Sequence, residues 1–173
     1  MSFVCERKNA GRNTLDWKYV QPWARSMFPH HKDSKGNLKY VHVKVSKSNK
    51  YYSVQYYDKT RSGKNKVIHV GAFENPHVAG LAYSLFCAFL LHKRKDHVMM
   101  MDKLLRWCTR PCVYMNGLTG EEAALKELNH MEKSMEEDSQ NKKRKLDAIK
   151  ADEDLKERDC FVFPLSVTSF SPF

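Results

Sequence analysis

The sequence lacks the features that define several large classes of protein. Its longest apolar run, Val78 to Leu91, has 14 residues, which is too few to cross a bilayer. It contains no nucleophile–base pair, no phosphate-binding glycine loop and no acidic metal cluster, so we expect neither an enzyme nor a bound cofactor. Its five cysteines are odd in number without framework spacing, and the chain opens without a signal-peptide pattern. These features predict a reducing compartment without disulfides.

One set of residues has the side chains that zinc prefers. His92 and His97 follow an H-x4-H spacing, and Cys108 and Cys112 follow a C-x3-C spacing. On a continuous helix the two histidines would point in rather different directions. A helix-capping histidine and a buried cysteine explain the same residues, so we predict no metal site.

Charge is distributed unevenly along the chain. The sequence has 30 Lys and Arg against 20 Asp and Glu, a formal net charge of +10. Residues 1–110 hold 21 of the basic and 7 of the acidic residues (+14), and residues 111–173 hold 9 and 13 (−4). A basic body attracts polyanions, because each phosphate that it neutralises releases a condensed counterion. Nucleic acid is the commonest such partner, and an anionic membrane surface is the second.

Three short segments in this basic part are rich in strand-forming residues. They cover residues 40–45, 51–57 and 66–73, and polar turns join them, which predicts an antiparallel meander. Alternation separates the side chains of each strand into two sets: His42 and Lys44 lie opposite Val41, Ser53, Gln55 and Tyr57 lie opposite Val54, and Val67 and His69 lie opposite Val70.

A helix is predicted directly after the third strand. Asn75 is an N-cap candidate, and Pro76 suits the first helical position. The helix is apolar almost all round, and Ala79, Gly80 and Ala82 would let it approach the sheet closely. We therefore predict an α+β fold, a three-stranded antiparallel sheet packed on one helix, whose other sheet face is open and basic.

Helical segments are also predicted beyond this unit. One covers Val98 to Trp107, and another opens at Thr119, where Thr119 and Glu122 occupy capping-box positions. From residue 132 the chain is highly charged and is either a solvated helix or disordered. It includes a basic run typical of a nuclear localisation signal, which predicts a nuclear protein: Lys142, Lys143, Arg144 and Lys145.

The third strand and its helix carry a motif. Val70-Gly71-Ala72-Phe73-Glu74-Asn75-Pro76, followed by Val78-Ala79-Gly80-Leu81-Ala82-Tyr83, resembles the AP2/ERF DNA-binding domain. That family ends its third strand in an apolar-Gly-small-Phe-acidic run and opens its helix with Ala-Ala-x-Ala-Tyr. Tyr40 to Lys44 and Tyr52 to Tyr57 are similar to its first two strands, so the resemblance covers about a third of the chain.

This resemblance implies a sheet that docks in the DNA major groove and a nuclear transcription regulator. It divides the chain into an N-terminal arm (1–37), an AP2/ERF-like domain (38–95), a helical extension (96–138) and a charged linker and tail (139–173). The base-facing positions depart from the family, because its arginines are largely replaced, although Gln55 suits adenine and Lys44 suits guanine. The lysines and arginine in and near the turns are predicted phosphate contacts: Lys47, Lys50, Arg61, Lys64 and Lys66.

Two other functions remain open at this point. The same basic sheet is suited to a structural RNA-binding role in a ribonucleoprotein, because Tyr51 and Tyr57 are aromatics that stack on unpaired bases. Alternatively, an AP2-like fold that has lost base reading would serve as a protein-interaction subunit, with a partner on its C-terminal helices.

Overall fold

The structure is a computed structural model that describes residues 12–45, 49–59, 65–111, 113 and 116–159. The chain forms two compact units, Met1–Asn129 and His130–Phe173. The first unit is α+β and contains the sheet, and the described part of the second is helical. The four segments proposed from the sequence stay a prediction.

Four strands form one mixed sheet in the order β1–β4–β3–β2. β2 (Val41–Val45), β3 (Lys50–Lys59) and β4 (Asn65–Phe73) are antiparallel neighbours, in agreement with the alternating pattern. β1 (Arg12–Asn13) pairs in parallel with β4, so the prediction of a purely antiparallel, three-stranded sheet was wrong. A strand of two residues is too short to show a period, and its pairing joins segments far apart in the chain.

Several helices, rather than one, accompany the sheet. They are α1 (Pro22–Met27), α2 (Pro76–Ala88), α3 (His97–Thr109) and α4 (Gly120–Asp159), with short 3-10 helices at Trp17–Tyr19 and Leu91–Lys93. The core gains Met100, Leu104, Leu105 and Trp107 from α3, as predicted. No helix in the described part of the chain is both long enough and apolar enough to span a membrane.

α2 begins where the sequence predicted and covers part of one sheet face. The Asn75 side chain accepts hydrogen bonds from the backbone N–H groups of His77 (2.9 Å) and Val78 (3.3 Å), which confirms the N-cap. The helix packs mainly on β3 and β4 and much less on β2. Val43 and Val45 lie on this helix side of the sheet, yet they remain 53% and 79% exposed because α2 scarcely reaches them.

The segment before β2 packs closely against α2. Phe28 is buried, with its ring centroid 5.8 Å from that of Phe89 at the end of α2. The Ser84 hydroxyl donates a hydrogen bond to the Pro29 carbonyl (2.6 Å). A Cβ at Gly80 would lie 3.1 Å from both His30 and Leu38, so Gly80 makes room for this segment. The sequence predicted instead that Gly80 lets the helix approach the sheet closely.

α4 opens with the predicted capping box. The Thr119 backbone N–H donates to Glu122 Oε2 (2.7 Å), and the Glu122 N–H donates to Thr119 Oγ1 (3.3 Å). The first of these bonds stabilises the carboxylate and lowers the pKa of Glu122. The described side chains from 132 to 153 are all exposed. Of the two predicted alternatives for this charged segment, the structure has the solvated helix.

Candidate nucleic-acid interface

Strand register assigns each side chain of the sheet to one of two faces. Residues that oppose one another across strands share a face, as His42 and Ser53 do and as Gln55 and His69 do. Val54 and Gln55 are adjacent in β3, whereas their partners in β4 lie two positions apart. The register therefore contains a β-bulge. The face away from α2 is called the open face below, and its described strand side chains are Arg12, His42, Lys44, Tyr51, Ser53, Gln55, Tyr57, Val67, His69 and Ala72.

Hydrogen bonds connect the polar side chains of the open face. The Tyr57 hydroxyl donates to Gln55 Oε1 over 3.1 Å and lies 3.4 Å from His42 Nε2. Because this hydroxyl has given its proton to Gln55, it accepts from His42, whose Nε2 is then the protonated nitrogen. A second pair joins Ser53 Oγ to His69 Nε2 over 3.2 Å.

The open face carries positive charge without acidic neighbours in the strands. Arg12 and Lys44 are its described cationic side chains. Asp58 is the one acidic residue of the four strands, and it lies opposite Lys66 on the helix side. Burial raises the pKa of Tyr56 on that side, and the charges of Cys87 and Asp58 raise it further. A polyanion that approaches the open face therefore meets cations and hydrogen-bond donors but no strand carboxylate.

The structure separates the predicted binding residues into three groups. His42, Lys44, Gln55, Tyr57 and His69 share the open face, together with Ser53, which is only 4% exposed and therefore supports His69 instead of reaching outward. Lys50 and Lys66 lie on the helix side: Lys50 opposes Val45 and sits 5.7 Å from the Tyr52 ring centroid, and Lys66 opposes Asp58. The predicted phosphate contacts Lys47, Arg61 and Lys64 lie outside the described residues.

Arg12 is a member of the open face that the sequence did not suggest. Its guanidinium lies 4.4 Å from the centroid of the Tyr51 ring, a cation–π contact across the face. Tyr51 itself is half-buried. No local pattern could have placed Arg12 here, because it arrives through the pairing of β1 with β4.

The histidine and cysteine series does not assemble a metal site among the described residues. The His92 ring stacks on Tyr56 (centroids 4.9 Å apart), and the His97 ring meets the edge of Phe86 (6.0 Å). Cys108 is buried in the core, and burial raises its pKa to about 12. Cys112 lies outside the described residues, and no group of three His, Cys, Asp or Glu in the described part could hold a metal ion.

The basic run of α4 is accessible. Lys142, Lys143, Arg144 and Lys145 are exposed on a continuous helix, so a receptor could reach all four side chains.

Comparison with known proteins yields no relative. No protein-family model, curated protein or solved structure matches the chain at a significant level.

Proposed function

We propose that this protein binds duplex DNA through the open face, as a divergent AP2/ERF-like domain, and acts as a nuclear transcription regulator. One observation carries the proposal: the open face combines Arg12, Lys44 and Gln55 and has no acidic strand residue, while Asp58 lies on the helix side. Cations neutralise phosphates and release counterions, and amide and guanidinium groups bond to base edges.

The size of the sheet supports docking in the major groove. Neighbouring strands lie about 4.8 Å apart, so the axes of β2 and β4 are separated by roughly 10 Å. The major groove is about 12 Å wide and accepts β-structure as well as helices. Side chains that stand up from the central strand, above all Gln55, would then meet base edges.

Packing also gives a reason for the motif on which the resemblance rests. A Cβ at Gly71 would lie 3.0 Å from the Phe73 ring, so a glycine leaves room for this aromatic side chain in the core. Phe73 is buried, and the N-cap of α2 follows it at Asn75. The Gly-x-Phe and Asn-Pro residues thus fix how β4 passes into α2. The base-facing residues His42, Gln55 and His69 differ from those of the family, so we expect a base preference of its own.

Recognition of unpaired bases, as in an RNA-binding component, is the second candidate. The Tyr57 ring is 38% exposed, and the imidazole rings of His42 and His69 share its face. Flat rings on an open sheet stack on bases that have left a duplex. Base pairs in a duplex offer no free ring face, so competition between nucleic acids separates the two functions.

The test is a competition experiment at physiological salt. Fluorescence anisotropy of the full chain with a labelled random duplex is challenged by unlabelled duplex, single-stranded DNA and structured RNA. We expect the duplex to compete most strongly. Stronger competition by the single strand or by RNA would establish the second candidate instead. Binding to none of the three would leave the protein-interaction role, with the C-terminal helices as the surface for a protein partner.

Two lysines on opposite faces provide a matched pair of variants. Lys44 lies on the open face and Lys50 on the helix side, and both are exposed strand residues. We expect Lys44→Ala to weaken duplex binding several-fold and Lys50→Ala to change it by less than about twofold, because only the first removes a cation from the docking face. Equal losses from both variants would place the interface elsewhere.

A further inference from the structure

We propose that Tyr57 orients the Gln55 side chain so that Gln55 recognises an adenine in the major groove. This inference rests on the proposed duplex binding and specifies which residue reads a base and which residue positions it. Gln55 stands on the central strand of the open face, and Tyr57 is two residues further along the same strand.

The orientation follows from a chain of hydrogen bonds across the face. His42 Nε2 donates to the Tyr57 hydroxyl (3.4 Å), which donates to Gln55 Oε1 (3.1 Å). The Tyr57 ring also packs against two neighbouring rings, with centroids 6.5 Å from His42 and 6.2 Å from Tyr40. A free glutamine amide can rotate by 180° and exchange its oxygen with its nitrogen. When His42 Nε2 carries a proton, the Tyr57 hydroxyl accepts a hydrogen bond from it and directs its own proton to Gln55, where only the amide oxygen can accept it.

The fixed amide has the groups that adenine requires. A carbonyl oxygen has two lone pairs, so Gln55 Oε1 can accept a second hydrogen bond beside that from Tyr57. Among the described residues, no group accepts a hydrogen bond from Gln55 Nε2. Adenine presents an N6 amino donor next to an N7 acceptor in the major groove, and Gln pairs with both. Guanine offers two acceptors at this edge and would leave Oε1 facing another acceptor.

The experiment is selection from a random duplex pool with the full chain, followed by affinity measurements on the selected site. At one adenine of that site, replacement by 7-deazaadenine removes N7, and replacement by purine removes the N6 amino group. We expect each replacement to weaken wild-type binding at least about fivefold, as a lost bidentate contact does. For Gln55→Ala the penalty should disappear. Gln55→Glu should instead select cytosine at this position, because a carboxylate accepts from cytosine N4.

Tyr57→Phe tests the positioning role separately from the ring. The variant keeps the aromatic ring beside His42 and Tyr40 and removes only the hydroxyl that bonds to Gln55. We expect the ratio of its affinities for adenine and guanine at the selected position to fall several-fold relative to wild type, because the Gln55 amide is no longer oriented. Unchanged discrimination in Tyr57→Phe would overturn the positioning role.

The outcomes distinguish this inference from the proposed function. Duplex binding with an unaltered base preference in both Gln55 variants would disprove base reading by Gln55 and leave duplex binding intact. Absence of duplex binding by the wild-type chain would disprove both. Far-UV circular dichroism of each variant checks that the sheet is folded, and the gain of a cytosine preference in Gln55→Glu cannot arise from misfolding.

Discussion

The guanidinium of Arg12 lies 4.4 Å above the ring centroid of Tyr51, across the open face of the sheet. Arg12 belongs to β1 and Tyr51 to β3, and β4 lies between these strands. The contact therefore gives the open face an arginine that is remote from it in the sequence. It adds an arginine to a sheet whose strands β2, β3 and β4 lack the arginines that the AP2/ERF resemblance implies.

Replacing Arg12 should weaken duplex binding through the loss of one cation. We expect Arg12→Ala to lower affinity several-fold and to reduce the slope of log K against log salt by about 1, the value for one released counterion. Arg12→Lys should keep the slope, because it keeps the charge. Salt titrations of duplex binding measure both. Arg110→Ala serves as the control, since Arg110 is exposed and outside the strands; a similar slope change there would show that total charge alone matters.

The first unit should become less stable as the pH falls below the ordinary pKa of a histidine side chain. His30 packs against Trp17 (centroids 5.0 Å apart) and His77 (5.6 Å), and its Nε2 is buried without a hydrogen-bond partner. Burial lowers the pKa of His30 from 6.5, and the charges of His77 and Lys32 lower it further. The unfolded chain therefore binds the proton more readily than the folded chain. The contribution of neutral His30 to the free energy of unfolding is complete above about pH 6.5, and it is lost as the pH falls towards the pKa of His30 in the folded state.

Urea unfolding at about pH 7.5 and about pH 5.5 tests this dependence. Wild type should show a lower urea midpoint at the acidic pH. The midpoint of His30→Phe should fall less, because the phenylalanine ring fills the same space and cannot be protonated. His92 has a pKa lowered mainly by burial and will retain part of the effect. His130→Gln, an exposed change outside the ring stack, is the control. An identical acid shift in wild type and His30→Phe would contradict the prediction.

Gly120 should be intolerant of a side chain. A Cβ at this position would overlap the backbone carbonyl of Trp107, which is itself held in α3. Because backbone atoms cannot move aside as a side chain can, we expect Gly120→Ala to destabilise the first unit by about 1–3 kcal/mol, despite the better helix propensity of alanine. Thermal unfolding measures the change. Glu121→Ala alters the next, exposed residue and should have little effect; equal destabilisation by both would refute the steric reason.

The basic run of α4 should direct nuclear import. Simultaneous replacement of Lys142, Lys143, Arg144 and Lys145 by alanine should move a fluorescent fusion of the full chain from the nucleus to the cytoplasm, because import receptors bind compact basic clusters. Replacement of four dispersed cations of α4 is the matched control for lost charge: Lys126, Lys133, Lys150 and Lys156. If the control variant also leaves the nucleus, nuclear import depends on total charge and not on the basic run.

The sequence by itself determined the local elements whose signals are short in range. Alternation over five to ten residues defined β2, β3 and β4, and side-chain capping defined the starts of α2 at Asn75 and α4 at Thr119. These features depend on neighbours within a few residues, so they can be read from a linear pattern. The same period of two separated the side chains within each strand, and the AP2/ERF resemblance grouped His42, Gln55 and His69 on one face.

Only the tertiary structure decided what depends on distant segments. The parallel pairing of β1 brings Arg12 to the open face. The register places Lys50 and Lys66 on the opposite side, although the sequence predicted both as phosphate contacts. The hydrogen bonds from His42 through Tyr57 to Gln55 join β2 to β3. Such contacts depend on register and packing between segments, which local propensity does not encode.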